Sequence, residues 1–265
     1  MLLVTKAADA AARSRQVHVN GRDYTIAEYV GAAPKRGHYV AGNESNDNGL
    51  PQGFLVHQPP NATTPAHFHE PNQFQVFVGG KGRMGAYPAG PLTVQYANGH
   101  TPYGPIVAFD EGVQYFTLRQ RWDPGAKYLP ASKDLLRKGN QRTRIKGGIG
   151  EADDTERCAR RETAVETIFP MEADGLAAWM WRMGPGAAAT LPPPAESGGQ
   201  YLIVASGTLL RDGETLDRLS TVFISPEEAV QQVTAGPTGL DLLVLQFPRL
   251  GETLSGGSAR VQSGA

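Results

Sequence analysis

The sequence predicts an all-β protein in which one antiparallel sandwich or barrel is used twice. Three observations predict it. Glycine and proline, 32 and 20 residues, fill 52 of 265 positions, about a fifth where ~12% is ordinary, and they lack the three-residue period of collagen. Short β-prone runs bounded by Gly, Pro or Asn recur with no long segment of helical period between them. Two stretches 127 residues apart also share an order of residues. A chain of 265 residues is long enough to bury a full core.

Asn20-Gly21 is the strongest hairpin signal, joining a strand over 15–20 to one over 22–26. Strands are predicted next over 53–57, 73–78 and 112–118. From Trp122 to about Glu166 the character changes to a basic stretch (Lys127 to Lys146) followed by acidic residues. This reads as a solvated connector, in which Ser132 caps a short helix through Leu135 and Leu136 that ends at Gly139. Strands resume over 163–169, 177–183, 201–205, 221–224 and 240–247, and the Ser/Gly-rich end is expected to be flexible.

The repeat places Gln73-Phe-Gln-Val-Phe-Val-Gly-Gly80 over Gln200-Tyr-Leu-Ile-Val-Ala-Ser-Gly207, with Ala62-Thr63 over Ala189-Thr190 and Pro65 over Pro192. The division is 1–122 for the first unit, 123–166 for the connector, 167–250 for the second unit and 251–265 for the tail. Trp179 and Trp181 share one strand face and are expected to fill the second unit.

A net charge of -1 gives no general attraction to nucleic acid or to anionic membrane. No apolar run approaches the ~18 residues that span a bilayer, and Met1-Leu2-Leu3-Val4 is too short for a signal-peptide core. The single cysteine, Cys158, excludes an internal disulfide and fits a reducing, cytoplasmic compartment. No Gly-x-Ser-x-Gly, Walker loop or dinucleotide fingerprint is present.

The chemistry concentrates in the segment from Asn61 to Gln73, which carries His67, Phe68 and His69. In a strand, residues i and i+2 share a face about 6.6 Å apart, so two imidazoles can point inward and converge on a divalent transition metal. Gln73 is either an added oxygen ligand or an amide that orients a histidine or a bound molecule. His57 and His100 are the candidates to complete a metal site, and Tyr103 is a phenolic candidate for a ligand or catalytic group. The alternative for His67 and His69 is a metal-free, hydrogen-bonded pair lining a pocket.

His67-x-His69, three residues, Gln73, six residues, Gly80 resembles the first cupin motif: Gly, five residues, His-x-His, three or four residues, Glu, six residues, Gly. Asn61 stands where the first Gly belongs, and Pro102-Tyr103-Gly104 resembles the start of the second motif. With the repeat, the chain resembles a bicupin of general quercetin-dioxygenase layout. That implies two tandem jelly-roll barrels (double-stranded β-helices) joined by a partly helical connector, each with a pocket at its mouth. The pattern departs in places that matter: Glu is Gln73, the last His falls at Val107, and the second unit has Pro194-Ala195-Glu196 for His-x-His.

The resemblance implies a metal-dependent enzyme of dioxygenase type acting on a small aromatic or keto compound. Its labile divalent metal is iron first, then Mn, Ni or Zn. The alternatives are a non-catalytic binding protein whose metal site has decayed, or a cupin isomerase or lyase. A metal-free version, a sugar isomerase working by acid–base chemistry, needs a base with a tuned pKa in the pocket, and no histidine–carboxylate pair stands out in the sequence. A homodimer is expected, because sheet edges are often covered by a partner.

Overall fold

The computed structural model describes residues 1–139 and 141–250, so the flexible tail expected over 251–265 lies outside the described residues. It opens with β1 (Leu2–Thr5) and a short helix α1 (Ala7–Ala12). The predicted hairpin follows, β2 (Arg15–Val19) and β3 (Arg22–Val30). Asn20 and Gly21 take positive φ, 49° and 75°, the two left-handed positions that a type I′ turn requires.

The rest of the first half contains β4 (Gln52–Gln58), β5 (Thr63–Thr64), β6 (His67–Phe68), β7 (Gln73–Met84), β8 (Tyr87–Ala89), β9 (Thr93–Ala97), β10 (Ile106–Arg119), β11 (Lys127–Tyr128) and β12 (Thr143–Lys146). Helix α2 (Asp154–Ala159) starts on an Asp153–Glu156 capping box. The second half follows as β13 (Ala164–Phe169), β14 (Ala177–Met183), β15 (Ala188–Thr190), β16 (Gln200–Arg211), β17 (Glu214–Leu216), β18 (Thr221–Ile224) and β19 (Gln232–Gln246).

The first sheet runs β12-β9-β7-β10-β4-β3-β2 and the second β1-β18-β16-β19-β14-β13. Within them the order β9-β7-β10-β4-β3 recurs as β18-β16-β19-β14-β13, and β16 starts and stops 127 residues after β7.

Both halves turn their corner on a glycine pair. At Gly80, with φ 68°, a side-chain carbon would lie 2.1 Å from the Gly112 carbonyl oxygen. At Gly207, with φ 71°, it would lie 2.1 Å from that of Gly239. Only glycine accepts both the left-handed backbone and the close approach. Past this corner Ile106, Val107 and Ala108 pair with Met84, Arg83 and Gly82, so the sheet bends over itself and encloses an interior.

Alternation sorts the apolar residues into three cores. Phe74, Val76, Phe116 and Leu118 meet Phe169, Tyr201, Leu243 and Phe247 between the halves. Phe77, Tyr115, Val56 and Ile26 face into the first half, and Leu202, Val204, Leu242 and Val244 into the second. Each fully buried Leu or Phe contributes ~1.5–3 kcal/mol. The core between the halves therefore couples them strongly.

Three details differ from the sequence reading. Residues 2–5, assigned by sequence to the first unit, pair with β18 of the second sheet; Leu2 packs on the second interior and Leu3 on the shared core. The connector, read as solvated and partly helical, also contributes β12, which extends the first sheet beside β9. Its expected helix is a single 3-10 turn, Lys133–Leu135, and the Ser132 side chain makes no cap hydrogen bond. Trp179 and Trp181 pack half-buried against the second interior rather than filling it.

Candidate functional site

Cross-strand register stacks the inward-facing residues of the first half in rows. Gln73, Arg119 and Gln52 form one row. Gln95, Gln75, Thr117 and Phe54 form the next, and Thr93, Phe77, Tyr115 and Val56 the third. The interior thus grades from charged through polar to apolar, and His67 and His69 border its charged end. His67, His69, Gln75, Thr117 and Arg119 all line one cavity of about 70 Å³.

Backbone pairing sets the histidines. The His67 N–H donates to the Tyr103 carbonyl and the Tyr103 N–H to that of His67, both at 3.0 Å, so their side chains share a face. The two imidazoles are 5.2 Å apart, centre to centre, and nearly perpendicular at 89°; the Tyr103 ring lies 4.5 Å from that of His67. Both tautomers are fixed by what faces Nδ1. His67 Nδ1 lies 2.7 Å from the Pro65 carbonyl oxygen, which can only accept. His69 Nδ1 lies 2.7 Å from Asp123 Oδ1. Each Nδ1 therefore carries the proton and donates, which leaves Nε2 as a lone pair on each ring. No hydrogen bond among the described residues takes up either Nε2.

Asp123 and Arg119 supply the electrostatics. Both are fully buried. Asp123 also accepts the N–H of Gly125 at 2.8 Å and that of Glu70 at 3.1 Å. Burial alone would raise its carboxyl, but His69, Arg119 and these hydrogen bonds hold it well below the ordinary carboxylate range. Desolvation and its neighbour His69 push His67 down to about 3. Desolvation and the Arg119 charge push His69 down to about 4, against the opposing pull of Asp123. Both rings are neutral near neutral pH. Burial raises the Tyr103 phenol above its ordinary value.

Arg119 donates twice to Gln73 Oε1, at 3.2 and 3.0 Å, and once to Gln52 Oε1. An arginine cannot accept, so the amide oxygen of Gln73 must face it, and the amide NH₂ then donates to the Tyr103 hydroxyl. Gln73 is accordingly an orienting group and not the oxygen ligand. His57 shares the outward face of β4 with Leu55, opposite Phe54 and Val56. His100 lies behind Phe68, 5.5 Å from its ring, and its Nδ1 accepts the Arg137 N–H. Neither histidine lines the cavity: strand alternation turns His57 away, and His100 sits in the turn after β9 with a left-handed backbone, φ 57°.

A resident divalent metal needs three or more converging donors with free lone pairs. Two nitrogens qualify here. The amide oxygen is spent on Arg119, and among the described residues no group of three His, Cys, Asp or Glu is placed to hold a metal. The donor set does not fit the metal.

Arg119 and Asp123 escape the sequence reading for different reasons. Arg119 continues the inward alternation Val113, Tyr115, Thr117, so a charge at an interior position was a usable signal. Asp123 opens Asp123-Pro124-Gly125, which reads as a turn, and its partner His69 is 54 positions away.

No protein-family model matches the sequence, and no curated protein matches it either. Solved structures do. A candidate dioxygenase from Nostoc punctiforme PCC 73102 is similar at TM-score 0.60 and 11% identity, over 96% of this chain and 81% of its own. A variant of oxalate decarboxylase from Bacillus subtilis is similar at TM-score 0.54 and 12% identity, over 93% and 78%. Quercetin 2,3-dioxygenase from Acinetobacter baumannii is similar at TM-score 0.50 and 12% identity, over 95% and 79%. At such identities the likeness speaks for architecture alone. The chain is an all-β protein, and its fold is the cupin fold. His67 and His69, whose spacing resembles the first cupin motif, are brought together inside it.

Proposed function

We propose that the protein is a two-barrel cupin enzyme of the isomerase or lyase class, moving a proton on a small carbonyl compound without a resident metal. One observation carries this reading: His69 is paired through Nδ1 with buried Asp123 at 2.7 Å while its Nε2 is left to the cavity. This is the histidine–carboxylate pair that metal-free proton transfer requires.

In the proposed step, His69 Nε2 takes a proton from the carbon next to a carbonyl. The electron pair of that C–H bond moves onto the carbonyl oxygen, where the Arg119 charge stabilises it. Asp123 holds the imidazolium that forms, as it already holds the ring. Return of the proton to a neighbouring atom completes an isomerisation. Gln73 fixes Arg119 and Tyr103, and Tyr103 fixes His67.

The test is exchange of solvent deuterium into pyruvate and hydroxypyruvate, followed by proton NMR on chelator-treated protein. Exchange is expected with the native chain and should fall by about a hundredfold or more in His69→Gln. The dioxygenase class expected from the resemblance would return if the protein bound stoichiometric Fe, Mn, Ni or Zn and consumed dioxygen only then. Ligand binding without exchange under either condition would leave a binding protein in place of an enzyme.

A further inference from the structure

We propose that the first barrel recognises a short acid that also carries a hydroxyl group, its carboxylate held by Arg119 and its hydroxyl hydrogen donated to Gln75. This assignment rests on the reading that the cavity beside the imidazoles binds a small molecule, and it names the class of that molecule.

The charged end comes from Arg119. The guanidinium has five N–H groups, of which three go to the amide oxygens of Gln73 and Gln52. Its nearest carboxylate oxygen, Asp123 Oδ1, is 3.9 Å away and is already shared by His69 and Gly125. The hydrogen bonds of this fully buried cation therefore go to neutral amides, with Asp123 as a longer-range ion partner. One N–H on each terminal nitrogen makes no hydrogen bond among the described residues. Buried N–H groups without acceptors are unfavourable, and a carboxylate in the cavity that Arg119 lines accepts both with matching geometry.

The opposite end comes from the second row. Gln75 is 2% exposed and lines the same cavity, yet its Oε1 has no donor. Its cross-strand neighbour Gln95 has an amide oxygen in the same state. Buried carbonyl oxygens of this kind call for an N–H or O–H. No side chain among the described residues around the cavity supplies one to Gln75, so a ligand hydroxyl would do so.

Size settles the class. A cavity of about 70 Å³ is far below the ~300 Å³ at which drug-sized ligands begin to be enclosed. An acid of a few heavy atoms matches this space.

The experiment is calorimetric titration of chelator-treated protein with two matched pairs, hydroxypyruvate against pyruvate and lactate against propionate, plus the uncharged lactamide. The hydroxylated acid should bind about tenfold or more tightly than its partner, the ratio expected for one buried hydrogen bond that would otherwise be missing. Lactamide should bind more weakly than lactate by a similar factor. In Gln75→Leu the hydroxyl preference should fall towards unity while pyruvate and propionate keep their affinities. Arg119→Lys should weaken all four acids and keep the ratio; if that variant does not fold, the lactate and lactamide comparison on the native chain carries the same test. Equal binding within each pair, a preference that survives Gln75→Leu, or no heat from any acid would overturn the assignment. Binding with the hydroxyl preference but no deuterium exchange would sink the proton-transfer reading alone. Exchange without that preference would sink only the present one.

Discussion

The two barrels share a row of three interior positions and differ in what stands at its centre. In the first, Arg119 lies between Gln73 and Gln52. In the second, Gln246 lies between Gln200 and Ala177. The second row closes mainly on neutral partners: Gln200 Nε2 donates to Gln246 Oε1, and Gln246 Nε2 donates to the Gly175 carbonyl, each at 2.8 Å. The first row ends in a cation with donors to spare and draws Asp123 and His69 around it. Where the first barrel has His67 and His69, the second has a 3-10 turn, Pro194–Glu196. The shared strand order gives both barrels the same interior, and side chains at a few registered positions decide whether it becomes a site.

That comparison can be broken at its centre. Arg119→Leu orphans two amide oxygens and leaves Asp123 short of a counter-charge, so urea unfolding should show a loss of ~3–5 kcal/mol. Gln246→Leu removes only neutral hydrogen bonds and should cost ~1–3 kcal/mol. Equal losses would mean that the arginine adds nothing the glutamine lacks.

Acid should expose the same asymmetry, because all six histidines lie in the first 100 residues. Folded His67 and His69 are held at about 3 and about 4, whereas unfolded imidazole titrates near ~6.5. The unfolded chain therefore binds more protons between these values. Stability should fall as pH drops from about 6.5 towards 4, by up to ~1.4 kcal/mol per pH unit for each ring. Denaturation midpoints measured across that range should flatten in the double variant His67→Asn, His69→Asn. A native chain with a flat profile would contradict the buried, neutral pair.

The corner glycines sharpen the comparison from the other side. Gly80→Ala and Gly207→Ala meet the same backbone obstruction and should each cost ~1–3 kcal/mol, with melting temperatures lowered alike. A large difference would show that the halves turn their corners differently. Smallest of all, Gln75→Leu should leave stability within ~1 kcal/mol of the native chain, since its amide oxygen has no donor to lose.

Much of the architecture was legible because it is written locally. Asn20-Gly21 specifies its hairpin, strands 177–183 and 221–224 fall where the apolar runs place them, and the spacing from Gly80 to Gly207 marks a corner used twice. The imidazole pair was legible for the same reason, since i and i+2 on an extended segment share a face. What stayed hidden is long-range. Asp123 reaches His69 across 54 positions, and the amide of Gln73 turns away from the histidines only because Arg119, 46 positions later, demands its oxygen. His57 is the exception: its outward direction follows from the parity of Phe54 and Val56 and could have been deduced.

The placement of β1 carries one consequence beyond the site. The first four-residue strand of the chain is an edge of the sheet formed by the last third, and the terminal amine is tied to Ser225 and Glu228. Residues 2–5 are thus built into the sheet of the second half. A nick in the stretch linking the barrels should release neither piece, and a fragment starting at β13 would lack its outermost rung. The strand order recurs in the two halves, yet the opening strand of one is the outer strand of the other.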